Sequence, residues 1–192
     1  MSIPFKPSRC QHCKGKMDAG QRIHPDCIEG YAQAQAEKSA RAQAKRATMA
    51  AKVDKALTRA KRESLKSKAQ WAKEAQSAVN KYVHLRDAHL GCVSCDKPAS
   101  WDGQWHASHF RSVGAATAVR FHLWNIHKSC SVCNNWKSGN LSEYEPRLRE
   151  KIGPEKVDWL RTQNQLSAYS VDYLKRLKSI FTKRAKRFKE TA

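Results

Sequence analysis

A neutral histidine can take a proton from water near neutral pH, and an asparagine side chain can hold a backbone or a cation in place. Residues 105–137 bring both types together: W-H-A-S-H-F-R, a loop, then R-F-H-L-W-N-I-H-K-S-C-S-V-C-N-N-W-K. Such a set suits hydrolysis of a phosphodiester. That reaction needs a water that loses a proton as it attacks, charge neutralisation on the phosphate, and a stabilised leaving oxygen. His109 is the candidate general base. Asn125 is placed to bond loop backbone and orient the imidazole. Asn134 follows Cys133 directly and can offer its side-chain oxygen to a catalytic divalent metal. Lys137, one turn further on, can contact phosphate. A neutral oxygen ligand suits a hard cation, Mg²⁺ or Mn²⁺, better than a catalytic zinc.

The second ligand of that metal is open. Ser108, just before the base, is a poor ligand. His106 and Asp102 are the alternatives. His106 lies three residues before His109, so a regular strand sends the two to opposite faces. A bulge near Ala107-Ser108 would bring them together. His127, two residues after Asn125 and near the Cys130 pair, is a further candidate, whereas His122 reads better as a surface or packing residue.

The cysteines must build the scaffold. Six of the seven form C-x-x-C pairs: Cys10/Cys13, Cys92/Cys95 and Cys130/Cys133. The seventh completes an H-x-x-C pair, His24/Cys27. An odd count is awkward for disulfides. It suits two structural Zn²⁺ sites, one with Cys92, Cys95, Cys130 and Cys133, the other with Cys10, Cys13, His24 and Cys27. His12 could replace His24, but the paired arrangement favours His24. This use of cysteine points to a reducing compartment.

His109, Asn125 and Asn134 fall at the spacing of an HNH motif. The fold class expected is α+β: a small zinc-stabilised ββα-metal (HNH) core with a long basic helical N-terminal arm, an N-terminal zinc module and a helical C-terminus. The parts are a zinc module at 1–30, an arm at 31–68, a core at 69–153, and C-terminal helices with a basic tail at 154–192. Residues 31–90 contain no Gly or Pro and are rich in helix formers. Ser67-x-x-Gln70 reads as a capping box that starts a second helix. Its stripe at Trp71, Ala75, Ala78, Val79, Tyr82 and Val83 should pack on the core. In the core, the strands are expected at 105–110 and from 120–122, with a short helix from about Cys133 to Lys137. Ser142 and Glu145 read as a capping box for a helix ending at Gly153. Pro154 suits the start of the next helix, and Ser170 caps a last one over 171–182. The basic tail after it, expected to be frayed, serves solubility or a second DNA contact.

The formal charge is +20, from 37 Lys and Arg against 17 Asp and Glu. That excess fits a polyanion. Arg41, Lys45, Arg46, Lys52, Arg59, Lys61, Arg62 and Lys66 on the arm, with Arg111 and Lys137 at the core, are the candidate DNA contacts. No apolar run approaches the ~18 residues of a membrane span, and residues 1–13 lack the apolar stretch of a leader. A narrow apolar stripe at Met49, Val53, Leu57 and Ala60 leaves a homodimer open.

The central run resembles the NinG family of lambdoid phages, also called Rap. The resemblance rests on W-x-A-x-H-[FY]-R at 105–111, on the Ala-rich loop leading to Arg120-Phe121, and on N-I-H-K-x-C-x-V-C-N-x-x-K-S-G-N-L at 125–141. It continues upstream through Trp71, Ala75-Gln76, Ala78-Val79-Asn80 and Cys92-x-Ser-Cys95. It implies a metal-dependent endonuclease that cuts branched DNA, such as Holliday junctions and D-loops, in recombination. It also implies a phage-encoded protein of the bacterial host's cytoplasm, with phage or host recombination proteins as partners. A zinc-stabilised protein that holds branched DNA without cutting it is the alternative. One departure stands out: where the family has D-A-G-H, this chain has H-A-S-H, so an acidic ligand is replaced by His106.

Overall fold

The computed structural model describes residues 9–17 and 20–191. Residues 1–8, most of the segment read as lacking a leader, lie outside the described residues. The chain divides into two compact units, Met1–Leu65 and Lys66–Ala192.

The first unit holds a knuckle of loops followed by helix α1, Ile28–Ser64. At 1.5 Å per residue, α1 is about 55 Å long. It buries none of its residues, and Met49, Val53 and Leu57 are all exposed. Beyond its first turn, where His12 lies against Gly30, its helicity rests on its Ala, Lys, Arg and Gln content.

The second unit opens with α2, Lys68–Arg86. Ser67 caps it as the sequence requires: its Oγ accepts from the Gln70 N–H at 3.3 Å, while the Gln70 Oε1 accepts from the Ser67 N–H at 2.8 Å. Such a cap contributes about 1 kcal/mol. The buried stripe Trp71, Ala75, Val79 and Val83 packs with Phe121, Ile126, Leu174 and Phe181.

Strands β1, Trp105–His109, and β2, Ile126–Cys130, pair antiparallel, with Trp105 opposite Cys130 and His109 opposite Ile126. The register runs without a skipped residue, so there is no bulge at Ala107-Ser108. The second strand begins at Ile126, not at 120–122. The intervening residues turn instead: the His122 N–H bonds the Val119 carbonyl, and the Asn125 N–H bonds the His122 carbonyl. The expected short helix is a π-helical turn, Val132–Trp136, closed by the Lys137 N–H on the Val132 carbonyl at 3.2 Å.

Helix α3, Leu141–Ile152, starts one residue before Ser142, which therefore does not cap it. Asn140 occupies that position with φ 52°, and its Nδ2 donates to the Ser94 carbonyl at 2.6 Å. Gly153 ends α3 at φ 93°, and Pro154 opens α4, Pro154–Thr162. Both pack a second core through Tyr144, Leu148, Val157 and Leu160 against Phe110, Ala116 and Val119. Helix α5, Val171–Thr191, carries straight through the segment expected to fray. The reason is packing: Phe181 and Phe188 both meet Tyr82 edge-on, and Ala185 is buried. Among the described residues, no helix is long and apolar enough to cross a membrane.

A buried ionic knot joins these layers. Asp87 is 2% exposed, accepts two bonds from Arg86, pairs with Lys151 at 3.1 Å, and takes the Lys128 N–H at 3.1 Å. Burial opposes its charge, yet Arg86 and Lys151 hold its pKa well below the usual carboxylate range. His127 sits beside it. Burial first, then Lys151 and Arg86, lower its pKa from 6.5 to about 3. Between those two values the unfolded chain binds a proton that the folded chain refuses. Stability is therefore full above pH 6.5 and declines as pH falls through that window. In ¹⁵N NMR spectra the His127 ring should stay neutral at about pH 5; a ring titrating near 6.5 would remove this account.

Candidate functional site

The cysteines expected to scaffold the site converge. Cys92, Cys95, Cys130 and Cys133 bring four Sγ atoms within 4.8 Å of one another. Cys95 and Cys130 lie 3.8 Å apart. A tetrahedron of zinc–sulfur bonds of ~2.3 Å has edges of about 3.8 Å, so the set can hold one Zn²⁺. Backbone N–H groups of Ser94 and Cys130 point at the Cys92 sulfur, at 3.4 and 3.2 Å, and that of Cys133 at the Cys130 sulfur, at 3.4 Å. Donors so placed favour thiolates over thiols.

The first unit repeats the arrangement with Cys10, Cys13, His24 and Cys27. His24 Nδ1 lies 3.3 Å from the Cys13 sulfur, while its Nε2 donates to the Lys16 carbonyl at 3.0 Å. That bond leaves Nδ1 unprotonated, as a ligand must be. His12 is not in the group: it lies against Gly30, where any Cβ would meet its ring at 2.7 Å. Each group can hold one zinc ion.

Between β1 and β2 the loop is fixed by Asn125, which is fully buried. Its Oδ1 accepts from the Arg111 N–H at 2.7 Å. Its Nδ2 donates to the Arg111 carbonyl at 3.0 Å and the Val119 carbonyl at 3.1 Å. One amide thus ties both ends of 111–119 to the start of β2. At the end of β1, His109 Nε2 lies 2.9 Å from the Arg120 carbonyl. Because a carbonyl only accepts, Nε2 carries the proton, and Nδ1 keeps its lone pair. Burial lowers the His109 pKa below 6.5, and the charge of Arg120 adds to the effect.

His106 and Asn134 form a separate pair. Asn134 Nδ2 lies 3.3 Å from His106 Nδ1, and His106 Nε2 is buried without a partner. With no bulge in β1, alternation sends His106 and His109 to opposite faces of the strand. The bulge on which a shared site depended is absent.

The other candidates scatter. His127 has both ring nitrogens engaged, Nε2 by the Trp124 carbonyl at 2.9 Å and Nδ1 by Arg86 at 3.2 Å, so it is a core residue and not a ligand. Asp102 is exposed in the loop before β1 and joins no group of ligating side chains among the described residues. His122 packs between Trp124 and Trp159. Lys137 is exposed, and Arg111 is half-buried and bonded to Asn164. Arg41, Lys45, Arg46, Lys52, Arg59, Lys61 and Arg62 are all exposed along α1. Lys66 is half-buried instead: it pairs with Glu74 at 2.7 Å and lies over the Trp71 ring, whereas Arg41 and Arg59 make only exposed pairs with Glu37 and Glu63. Sequence reasoning passed over Gln76 and Arg120, whose partnership spans 44 residues (Arg120 Nε donates to Gln76 Oε1 at 3.1 Å).

A family model described as Bacteriophage Lambda NinG protein matches residues 3–191. The chain is 39% identical over 123 residues to Protein ninG of Escherichia phage lambda, covering 64% of this chain and 59% of that one. It is 38% identical over 128 residues to Protein ninG of Salmonella phage P22, covering 67% of this chain and 62% of that one. The match thus spans less than two thirds of the length of either relative. No solved structure matches the chain.

Asn125→Ala strips partners from three backbone groups at once. It should cost about 3 kcal/mol or more in urea unfolding of the zinc-loaded protein. A cost under about 0.5 kcal/mol would mean that the loop is held by something else. Cys130→Ser should lower the zinc content of the purified protein by one ion and abolish cooperative unfolding of the second unit. A fully folded variant with unchanged metal content would count against the zinc assignment.

Proposed function

Because the chain belongs to the NinG family of bacteriophage lambda, we propose that it is a structure-selective DNA endonuclease with an HNH-type core, acting on branched recombination intermediates. The observation that carries this reading is the His109 imidazole. It is neutral, its Nε2–H is fixed on a backbone carbonyl, and its Nδ1 lone pair is available. A general base needs those properties, whereas a protein that only binds DNA does not. Asn125 acts by holding the loop that supplies the carbonyl.

In this reading His109 Nδ1 takes the proton from water as the oxygen attacks phosphorus, the bond from phosphorus to the 3′ oxygen breaks, and that leaving oxygen takes a proton from solvent. Arg120, whose carbonyl holds His109, offsets the charge that builds on the phosphate oxygens. A catalytic Mg²⁺ or Mn²⁺, expected from the neutral oxygen of Asn134, fits the residues present poorly. The bonds of His106 and Asn134 reach each other and Asn135, and none of them reaches a carboxylate. Hard cations of that kind are held by carboxylate and phosphate oxygens, so no step is assigned to a resident ion. This poverty of acidic ligands is also what favours the second reading, a zinc-stabilised protein that binds branched DNA without cutting it.

End-labelled four-way junction and linear duplex, with Mg²⁺, Mn²⁺ or Zn²⁺ added separately to protein that retains its zinc, separate the two. The nuclease reading expects cleavage that prefers the junction. His109→Ala should reduce it by roughly 10²–10⁴-fold with junction affinity unchanged. Tight junction binding without cleavage under any metal would favour the second reading. The rate should also report the base. Only neutral His109 accepts a proton, and its pKa is lowered, so the acid limb of the pH profile should lie below 6.5. A limb above 6.5 would exclude His109 as the group titrating.

A further inference from the structure

We propose that the outer face of α2, with the adjoining side of α5, is a track for the phosphate backbone of one DNA strand, ending at Arg120. The inference rests on the reading of the protein as a DNA-acting one, and assigns a surface apart from the candidate DNA contacts on α1.

Two hollows adjoin along α2. One, of about 480 Å³, lies between α2 and α5 and is lined by Ser77, Ala78, Lys81, Lys178, Lys186 and Lys189 among others. The next, of about 550 Å³, is lined by Ala72, Lys73, Gln76, Ser77, Asn80 and Arg120. They share Ser77, and Lys73, Ser77 and Lys81 follow one another at four-residue steps along one helical face, with Gln76 and Asn80 beside them. Small side chains form the floor, which lets a sugar-phosphate chain approach closely. Lys73 to Lys81 spans ~12 Å at 1.5 Å per residue. That is roughly the axial rise of three to four phosphates of one strand.

The charges are disposed for a polyanion. The one acidic side chain lining these hollows, Glu74, is already held by Lys66 at 2.7 Å and Lys178 at 2.8 Å. Lys186 makes a solvent-exposed pair with Glu190 at 3.5 Å, of little strength. Lys73, Lys81, Lys189 and Arg120 have no ion pair among the described residues. Arg120 is also pre-oriented. Its Nε donates to Gln76 Oε1 at 3.1 Å, Gln76 Nε2 donates to Asn80 Oδ1 at 2.9 Å, and the guanidinium lies over the Phe121 ring. A fork anchored through Nε presents its two terminal nitrogens for a bidentate phosphate contact. The same residue's carbonyl fixes His109. A phosphate gripped by Arg120 is therefore delivered to the residue that holds the base.

The test uses the full-length zinc-loaded protein and a fluorescein-labelled four-way DNA junction, with anisotropy titrations at several KCl concentrations. The triple variant Lys81→Ala, Lys186→Ala, Lys189→Ala removes exposed charges only, and its melting temperature checks the fold. The track predicts that the slope of log K against log salt becomes shallower by roughly two to three, and that affinity near physiological salt drops by roughly 10- to 100-fold. The same three positions changed to Arg should restore the slope. If the wild-type protein binds with a steep slope and the triple variant matches it, the track is wrong and the DNA reading stands. If the wild-type protein shows no salt-dependent DNA binding, the DNA reading fails and the track with it.

Discussion

Two strands of five residues cannot hold each other in water. The hairpin at the centre of the second unit exists because it is pinned at both ends by different chemistry. At one end Trp105 pairs with Cys130, and the four cysteines close on each other. At the other end His109 pairs with Ile126, and the Asn125 amide takes three backbone bonds. Sulfur fixes the end remote from His109, and the amide fixes the end that carries it. The imidazole is then aimed by a carbonyl that this second pin keeps in place.

The hairpin must also be seated, and the seat is electrostatic as well as apolar. Asp87 ends α2 inside the protein, where a lone carboxylate would be prohibitively costly. It is tolerated because Arg86, Lys151 and a β2 N–H surround it. Arg86 reaches further, donating to the Ile126 and Leu123 carbonyls. Breaking such a knot leaves a buried charge uncompensated, which is more damaging than the pair is stabilising. Thus α2, β2 and α3 cannot shift independently. Tyr144 adds to this by donating from α3 to the Ser108 carbonyl in β1 at 3.1 Å.

The features legible in the sequence were those set by local spacing. Cys-x-x-Cys pairs predict converging sulfurs because two residues of spacing fit a knuckle. Ser67 with Gln70 predicts a helix start because both bonds lie within one turn. What was misread depended on distant partners. His127 looked available as a ligand, but its environment comes from Arg86 and Asp87, about forty residues away. Arg120–His122 looked like the start of a strand, whereas the turn bonds from the His122 N–H to Val119 and from the Asn125 N–H to His122 claim those backbone groups first. The basic tail looked frayed, yet Tyr82 supplies the aromatic surface that its helix needs.

The composition of the site constrains how it can work. His109, Arg120 and Lys137 are neutral or cationic, and the His106–Asn134 pair is neutral. A site without carboxylates has little hold on a divalent cation before a polyanion arrives. On the nuclease reading, the oxygen ligands that a hard cation wants must then come chiefly from the DNA phosphate itself. On that same reading the features form one scheme: cations gather the phosphate, the phosphate supplies the negative charge, and the neutral imidazole takes the proton.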